Sequence, residues 1–176
     1  MRRFLAWRGL DEWRAEGCTV EVGDHGLRAV GVQLGSTYQL DYGLETGPEL
    51  FTRRLVVTVK DADGERGVLL ERSEEDGAWT LNGNPLPHVE GALDIDLALS
   101  PLTNYMPAAR LGDEPRDHVM AWVEVPSLAV HRSPQRYEPL GPLRVRYVSL
   151  DSDFTADLDL DTDGFVLHYP ELAGRV

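Results

Sequence analysis

The chain has 176 residues, enough for one domain that buries roughly 70% of its unfolded surface and builds a core without staples. Asp and Glu outnumber Lys and Arg by 30 to 17, a formal charge of −13. That balance repels phosphate backbones and anionic membrane surfaces, so nucleic acid is not an expected partner, and it is also an ordinary route to solubility.

The first residues, Met1-Arg2-Arg3, are followed by only Phe4, Leu5, Ala6 and Trp7 before Arg8, too short for the apolar region of a secretion signal. Nothing in the chain approaches the ~18 consecutive apolar residues of a membrane helix, so no integral membrane association is expected. Cys18 is the single cysteine. It forms no intrachain disulfide, suits a reducing cytosol and gives a cytoplasmic expectation. It alternates with Thr19, Val20, Glu21 and Val22 and reads as a small core residue.

Strand periodicity then dominates. Leu27, Ala29 and Gly31 oppose Arg28, Val30 and Val32. Tyr38, Leu40, Tyr42 and Leu44 oppose Gln39 and Asp41, and Leu55, Val57 and Val59 oppose Arg54, Val56 and Thr58. Further on, Val119 to Val125, Leu143 to Tyr147 and Phe154 to Leu160 repeat the pattern. These are period-2 runs of half-buried antiparallel strands. The punctuation agrees: Gly23-Asp24-His25-Gly26, Asp61-Ala62-Asp63-Gly64, Asp76-Gly77, Asn82-Gly83-Asn84 and Asp161-Thr162-Asp163-Gly164 are turn signals. About ten to twelve short strands at this spacing predict a mainly β, single-domain fold, a sandwich, a barrel or a strongly curved antiparallel sheet.

The densest chemistry lies from Gly91 to Leu111, GALDIDLALSPLTNYMPAARL. Leu93, Ile95, Leu97 and Leu99 alternate with Asp94, Asp96 and Ala98, a strand. Ser100-Pro101 then reads as N-cap and first position of one short helix near 101–106, which Pro107 limits to about two turns. Thr103, Asn104 and Tyr105 ride on that turn and Arg110 follows.

Spacing argues against several kinds of site. Asp159, Asp161, Asp163 and Gly164 match the opening of a calcium loop, but Pro170 stands where the bidentate Glu belongs. An acidic hairpin is the expected reading. His25, His88, His118, His131 and His168 show no metal-ligand spacing. No G-x-S-x-G elbow and no glycine-rich phosphate loop occurs. No metal or cofactor is therefore expected. Asp94 and Asp96, as i and i+2 on one strand face, stand roughly 7 Å apart. They could form an acid/base pair of glycosidase type, although structural roles, capping or pairing with Arg110, are the expected ones. Tyr38, Tyr42, Trp79, Trp122, Tyr137, Tyr147 and Tyr169 fall on strands, where aromatic rings supply apolar area with a polar tip.

The string DIDLALSPLTNYMPAARL resembles the D-x-D-L…P-x-T-N-x-[LM]-P-x-x-R-L block of a bacterial glycolipid-binding family, formerly a domain of unknown function. Other landmarks fall in order: Glu16, Asp41-Tyr42, Thr52-Arg53-Arg54, Gly77-Ala78-Trp79 before Asn82-Gly83, Gln135-Arg136-Tyr137, Tyr147, Asp163-Gly164-Phe165-Val166 and Tyr169-Pro170. The resemblance implies a curved half-barrel similar in shape to lipoprotein carriers, with acyl chains on a concave apolar face. Two positions depart from the family's pattern. Ala92 follows Gly91 where members have Cys, and Ala109 precedes Arg110 where members have a second Arg. The leading expectation is a non-enzymatic module for a glycolipid or another amphipathic ligand, with Asp94, Asp96, Thr103, Asn104 and Arg110 at the polar part, and Arg53, Trp79, Tyr42, Tyr137 and Tyr147 contributing. The alternatives are an enzyme working on a sugar or lipid headgroup through Asp94 and Asp96, and an interaction module. The expected state is a monomer or a homodimer, and a persistent monomer would count against the interaction module.

Overall fold

The computed structural model describes all 176 residues. Fifteen strands form one sheet: β1 (Arg2–Gly9), β2 (Arg14–Gly23), β3 (Gly26–Gly35), β4 (Tyr38–Thr46), β5 (Thr52–Asp61), β6 (Gly64–Arg72), β7 (Trp79–Leu81), β8 (Asn84–Pro85), β9 (Asp94–Leu97), β10 (Arg116–Val123), β11 (Val130–Gly141), β12 (Arg144–Ser149), β13 (Thr155–Leu160), β14 (Val166–Tyr169) and β15 (Ala173–Arg175). The spatial order runs from β8 down to β1, then from β15 down to β9. Every neighbour is therefore consecutive in sequence except the β1–β15 seam, where the two halves join. The expected ten to twelve strands become fifteen because β7, β8 and β15 have only two or three residues, too few to show a period. All pairs are antiparallel except β9 with β10, which is parallel.

The curved, mainly β sheet expected from the alternation is present and is not closed into a barrel. Its inner face carries Leu5, Val20, Leu40, Leu44, Leu55 and Val57, all essentially inaccessible. On the outer face of β1 to β6 one cross-strand row reads Arg2, Glu21, Arg28, Glu45, Arg54, Glu71. Ion pairs follow along it, Arg2–Glu21 at 3.3 Å and Arg28–Glu45 at 3.1 Å. Exposed pairs of this kind contribute at most about 1 kcal/mol each; what the row fixes is which face meets water.

The inner face is not an open trough. Ile95, Leu97, Ala121 and Val123, on the opposite face of β9 and β10 from Asp96 and Trp122, belong to the same apolar cluster as the inner residues of β1 to β7. The β9–β10 end of the sheet thus rolls inward, and its back packs into the hollow of the first half. Rolling is stitched by polar bonds: Thr52 N–H donates to Leu93 O (3.1 Å), Ile95 N–H to Thr52 Oγ1 (3.2 Å) and Gln33 Nε2 to Ala98 O (3.3 Å). A buried 3-10 turn (Pro101–Asn104) and α1 (Tyr105–Ala109) complete the filling with Leu102 and Met106, and Tyr105 stacks on Phe165 with ring centroids 4.3 Å apart.

Three local expectations are corrected. Strand β9 ends at Leu97, because Leu99 takes a left-handed φ of 68° that turns the chain into the helical segment. Ser100 precedes that segment but makes no side-chain cap; its hydroxyl is drawn to the buried Glu16 carboxylate instead, at 2.7 Å. The helical stretch reaches Ala109 rather than 106. Pro107 is the third residue of α1, so it falls in the first turn, where a missing N–H costs nothing.

Candidate functional site

Two carboxylates on one face of β9 have different environments. Asp94 has no exposed surface. Both its oxygens face the Arg110 guanidinium, Nη1 to Oδ1 at 3.3 Å and Nη2 to Oδ2. Arg110 Nη1 also donates to Leu50 O at 2.7 Å, and its guanidinium lies 4.8 Å from the Phe51 ring centroid. Burial raises the Asp94 carboxyl from its ordinary value and the guanidinium works against that rise. Every contact of this pair is inside the fold: it ties the end of the helical segment back to β9 and the β4–β5 connection.

Asp96 has no cation. Its Oδ1 accepts from Thr103 Oγ1 at 3.0 Å and its Oδ2 from Gln135 Nε2 at 2.7 Å. Burial pushes its carboxyl upward, and those two neutral donors only partly oppose the rise. The donors are themselves held. Tyr137 Oη donates to Asn104 Oδ1 at 2.8 Å, Asn104 Nδ2 reaches back to the Pro101 carbonyl, and the single Thr103 hydroxyl proton is shared between Asp96 Oδ1 at 3.0 Å and the Ser100 carbonyl at 3.1 Å. Asp96, Thr103, Asn104, Gln135 and Tyr137 thus form one connected network on the face shared by β9 to β11.

Above this network lies a cleft in two lobes. One, of about 200 Å³, is walled by Leu97, Leu99, Trp122, Tyr147, Tyr169 and Leu172. The other, of about 360 Å³, lies toward His131, Arg132, Ser133, Asp151, Ser152 and Phe154. Asp96, Trp122 and Tyr147 line both. Strand register explains the convergence, since Trp122 sits directly across from Asp96, and Tyr137 is directly across from Tyr147. Tyr147 packs near Tyr137, Phe154 and Tyr169, with centroids 5.6, 5.9 and 6.3 Å away.

The residues singled out by sequence divide accordingly. Asp96, Thr103, Asn104, Tyr137 and Tyr147 come together, and Asp94 and Arg110 brace the strand beside them. Tyr42 lies elsewhere, donating to Glu16 Oε1 at 2.6 Å in the core. Burial raises that Glu16 carboxyl to about 7, and its Oε2 and Gln33 Oε1 are both buried without a partner. Trp79 is buried, with its indole N–H on Ala92 O at 2.9 Å, beside a separate cleft of about 430 Å³. Arg53 is at the surface paired with Glu74. Gln135 carries half of the Asp96 coordination; the sequence marks it only as part of the Gln135-Arg136-Tyr137 landmark, with no role in the site. It lies on β11, whose Pro134 and Pro139 disguise a central strand. The Pro134 carbonyl accepts from Leu150 N–H just past the end of β12, so the missing proline N–H falls where no partner strand needs it.

With this arrangement in view, the similarity to known proteins is informative. A family model described as "Putative glycolipid-binding" matches residues 4–175. The chain belongs to that family. A crystal structure of a DUF1089 family protein from Pseudomonas aeruginosa superposes with a TM-score of 0.80 at 29% identity, covering 97% of this chain and 95% of that one. No curated protein matches the chain. No helix is long and apolar enough to cross a membrane.

Proposed function

We propose that this protein binds a glycolipid through its polar headgroup, in the cleft over Asp96. The observation that carries the reading is the convergence of Trp122 and Tyr147 on a carboxylate that is held open to the cleft by Thr103 and Gln135. Aromatic faces take the C–H side of a sugar ring, and a fixed acceptor takes its hydroxyls; sites of this kind are concave and largely preformed. Phe154, which stays 39% exposed at the outer lobe, offers apolar area where an acyl chain leaves the headgroup. The rolled-in β9–β10 end fills the hollow in which the carriers of similar shape would hold a whole chain, so the reading rests on the headgroup.

The family description agrees with this class of ligand and names no ligand. A hydrolytic pair of Asp94 and Asp96 has less support, because Asp94 is inaccessible and bound at both oxygens by Arg110. The test is native mass spectrometry of the purified chain, followed by organic extraction and titration of the extracted lipids back onto it. Recovery of a sugar-bearing amphiphile that rebinds, and whose rebinding falls at least about tenfold in Trp122→Ala with the fold intact, is the expected result; loss of one stacked aromatic is of that order. Equal rebinding by Trp122→Ala would move the site away from this cleft.

A further inference from the structure

Of the two neighbouring carboxylates of β9, Asp94 alone is paired with a guanidinium, that of Arg110. Several part-buried acids elsewhere face an arginine, Asp61 with Arg66, Asp157 with Arg146 and Asp161 with Arg175, whereas Glu124 and Glu138, which have no ion pair, line neither lobe of the cleft over Asp96. Glu16 makes no ion pair, since the nearby Arg14 is bound to Asp11 and Glu12, but it is sealed in the core. Asp96 is the carboxylate that is withdrawn from bulk water, lacks a counter-charge and yet opens onto a cleft. Its Thr103 and Gln135 donors are neutral, and a buried charge is stabilised far more by an opposite charge than by neutral donors. The flanking walls, Trp122 and Tyr147, present the ring surfaces that attract cations. A second carboxylate, Asp151, held by Ser149 Oγ at 2.7 Å, lines the outer lobe with Arg132.

We propose that the headgroup recognised here carries an ammonium, as an amino sugar does, with its nitrogen seated on the Asp96 carboxylate between Trp122 and Tyr147. This rests on the headgroup reading above and narrows it. The ammonium supplies the counter-charge the fold omits, donates to the carboxylate, and leaves the sugar hydroxyls to Ser133 and Ser152 in the outer lobe. The two lobes together fall within the ~300–1,000 Å³ of small-molecule sites.

The experiment uses three sugars with one ring: glucosamine, glucose and N-acetylglucosamine. Only glucosamine bears a positive charge. Each is titrated into isotope-labelled full chain at pH 6.5, following the Trp122 indole and Gln135 amide resonances. Glucosamine is expected to bind at least about tenfold tighter than the other two, the difference between a charge-assisted and a neutral hydrogen bond. Asp96→Asn, which keeps the side-chain shape, is expected to remove that advantage and bring the three sugars level. Equal affinity of the unaltered protein for all three overturns the inference and leaves the headgroup reading standing. Absence of shifts with all three overturns it as well, and rebinding of extracted glycolipid then decides the broader reading separately. The comparison among ligands on unaltered protein carries the test even where Asp96→Asn fails to fold.

Discussion

Single residues decide how this fold responds to pH, and Glu16 is the clearest case. Its carboxyl is fully enclosed, accepts from Tyr42 and Ser100, and leaves Oε2 bare. Burial lifts its pKa from 4.5 to about 7. A folded-state value above the unfolded one means that the folded chain holds its proton longer. Below the unfolded value both states are protonated and nothing is lost. Between the two values only the unfolded chain releases its proton, so stability falls as pH rises, and above about 7 the loss is complete, on the order of 3 kcal/mol. Glu16→Gln removes the titration, keeps an acceptor for Tyr42 and gives Gln33 Oε1 a donor. It should raise the melting temperature at pH 8 by several degrees and leave it nearly unchanged at pH 4.5. An equal gain at both pH values, read by thermal denaturation, would mean that packing rather than proton release sets the cost.

At the scale of elements, the stretch from Asp94 to Arg110 behaves as one device: strand, left-handed Leu99, 3-10 turn, short helix, and a guanidinium that returns to the strand where the stretch began. The sequence leaves Arg110 two roles, holding a ligand's polar part or pairing with an aspartate as a brace. Its contacts with Asp94 and Leu50 are those of a brace, and truncating one partner of a buried pair costs about 3–5 kcal/mol because the other charge is left alone. Arg110→Ala should therefore lower the denaturant midpoint sharply, and Arg110→Lys should not restore it, since an ammonium cannot span both Asp94 oxygens. Asp94→Leu combined with Arg110→Met should recover most of the loss, whereas a double variant as unstable as Arg110→Ala would show that the pair supplies more than charge balance. Much of this device was legible in sequence. The alternation gave β9, Ser-Pro gave the turn, and the proximity of Asp and Arg suggested the pair. What was illegible is tertiary. Whether Ser100 caps a helix or serves Glu16 depends on a strand far away in the chain, and Pro134 hides β11 because the harmlessness of a proline depends on where the neighbouring strand stops.

The whole molecule poses the question that periodicity could not reach, namely what occupies the concave face. Alternating sequence specifies that one side of each strand is apolar; it does not say whether ligand or chain covers that side. Here the chain covers it. Ile95, Leu97, Ala121, Val123, Leu102 and Met106 fill the hollow. Burying each larger one of these contributes about 1.5–3 kcal/mol. Withdrawing the rolled-in end to admit an acyl chain would thus forfeit an amount comparable to the ~5–15 kcal/mol stability of an entire domain. Opening would be unfolding, unless the acyl chain replaced those contacts atom for atom. The expected behaviour is discrimination by headgroup: a fluorescent fatty acid without a sugar should fail to bind at micromolar concentration, while a glycolipid with the same chain length should bind. Micromolar uptake of the bare fatty acid, accompanied by rapid hydrogen exchange at the amides of β9 and β10, would show instead that the roll opens and that the hollow serves as a lipid chamber after all. Slow exchange at those amides during glycolipid binding would fit a sheet whose inner face is permanently occupied, with recognition confined to the cleft above Asp96.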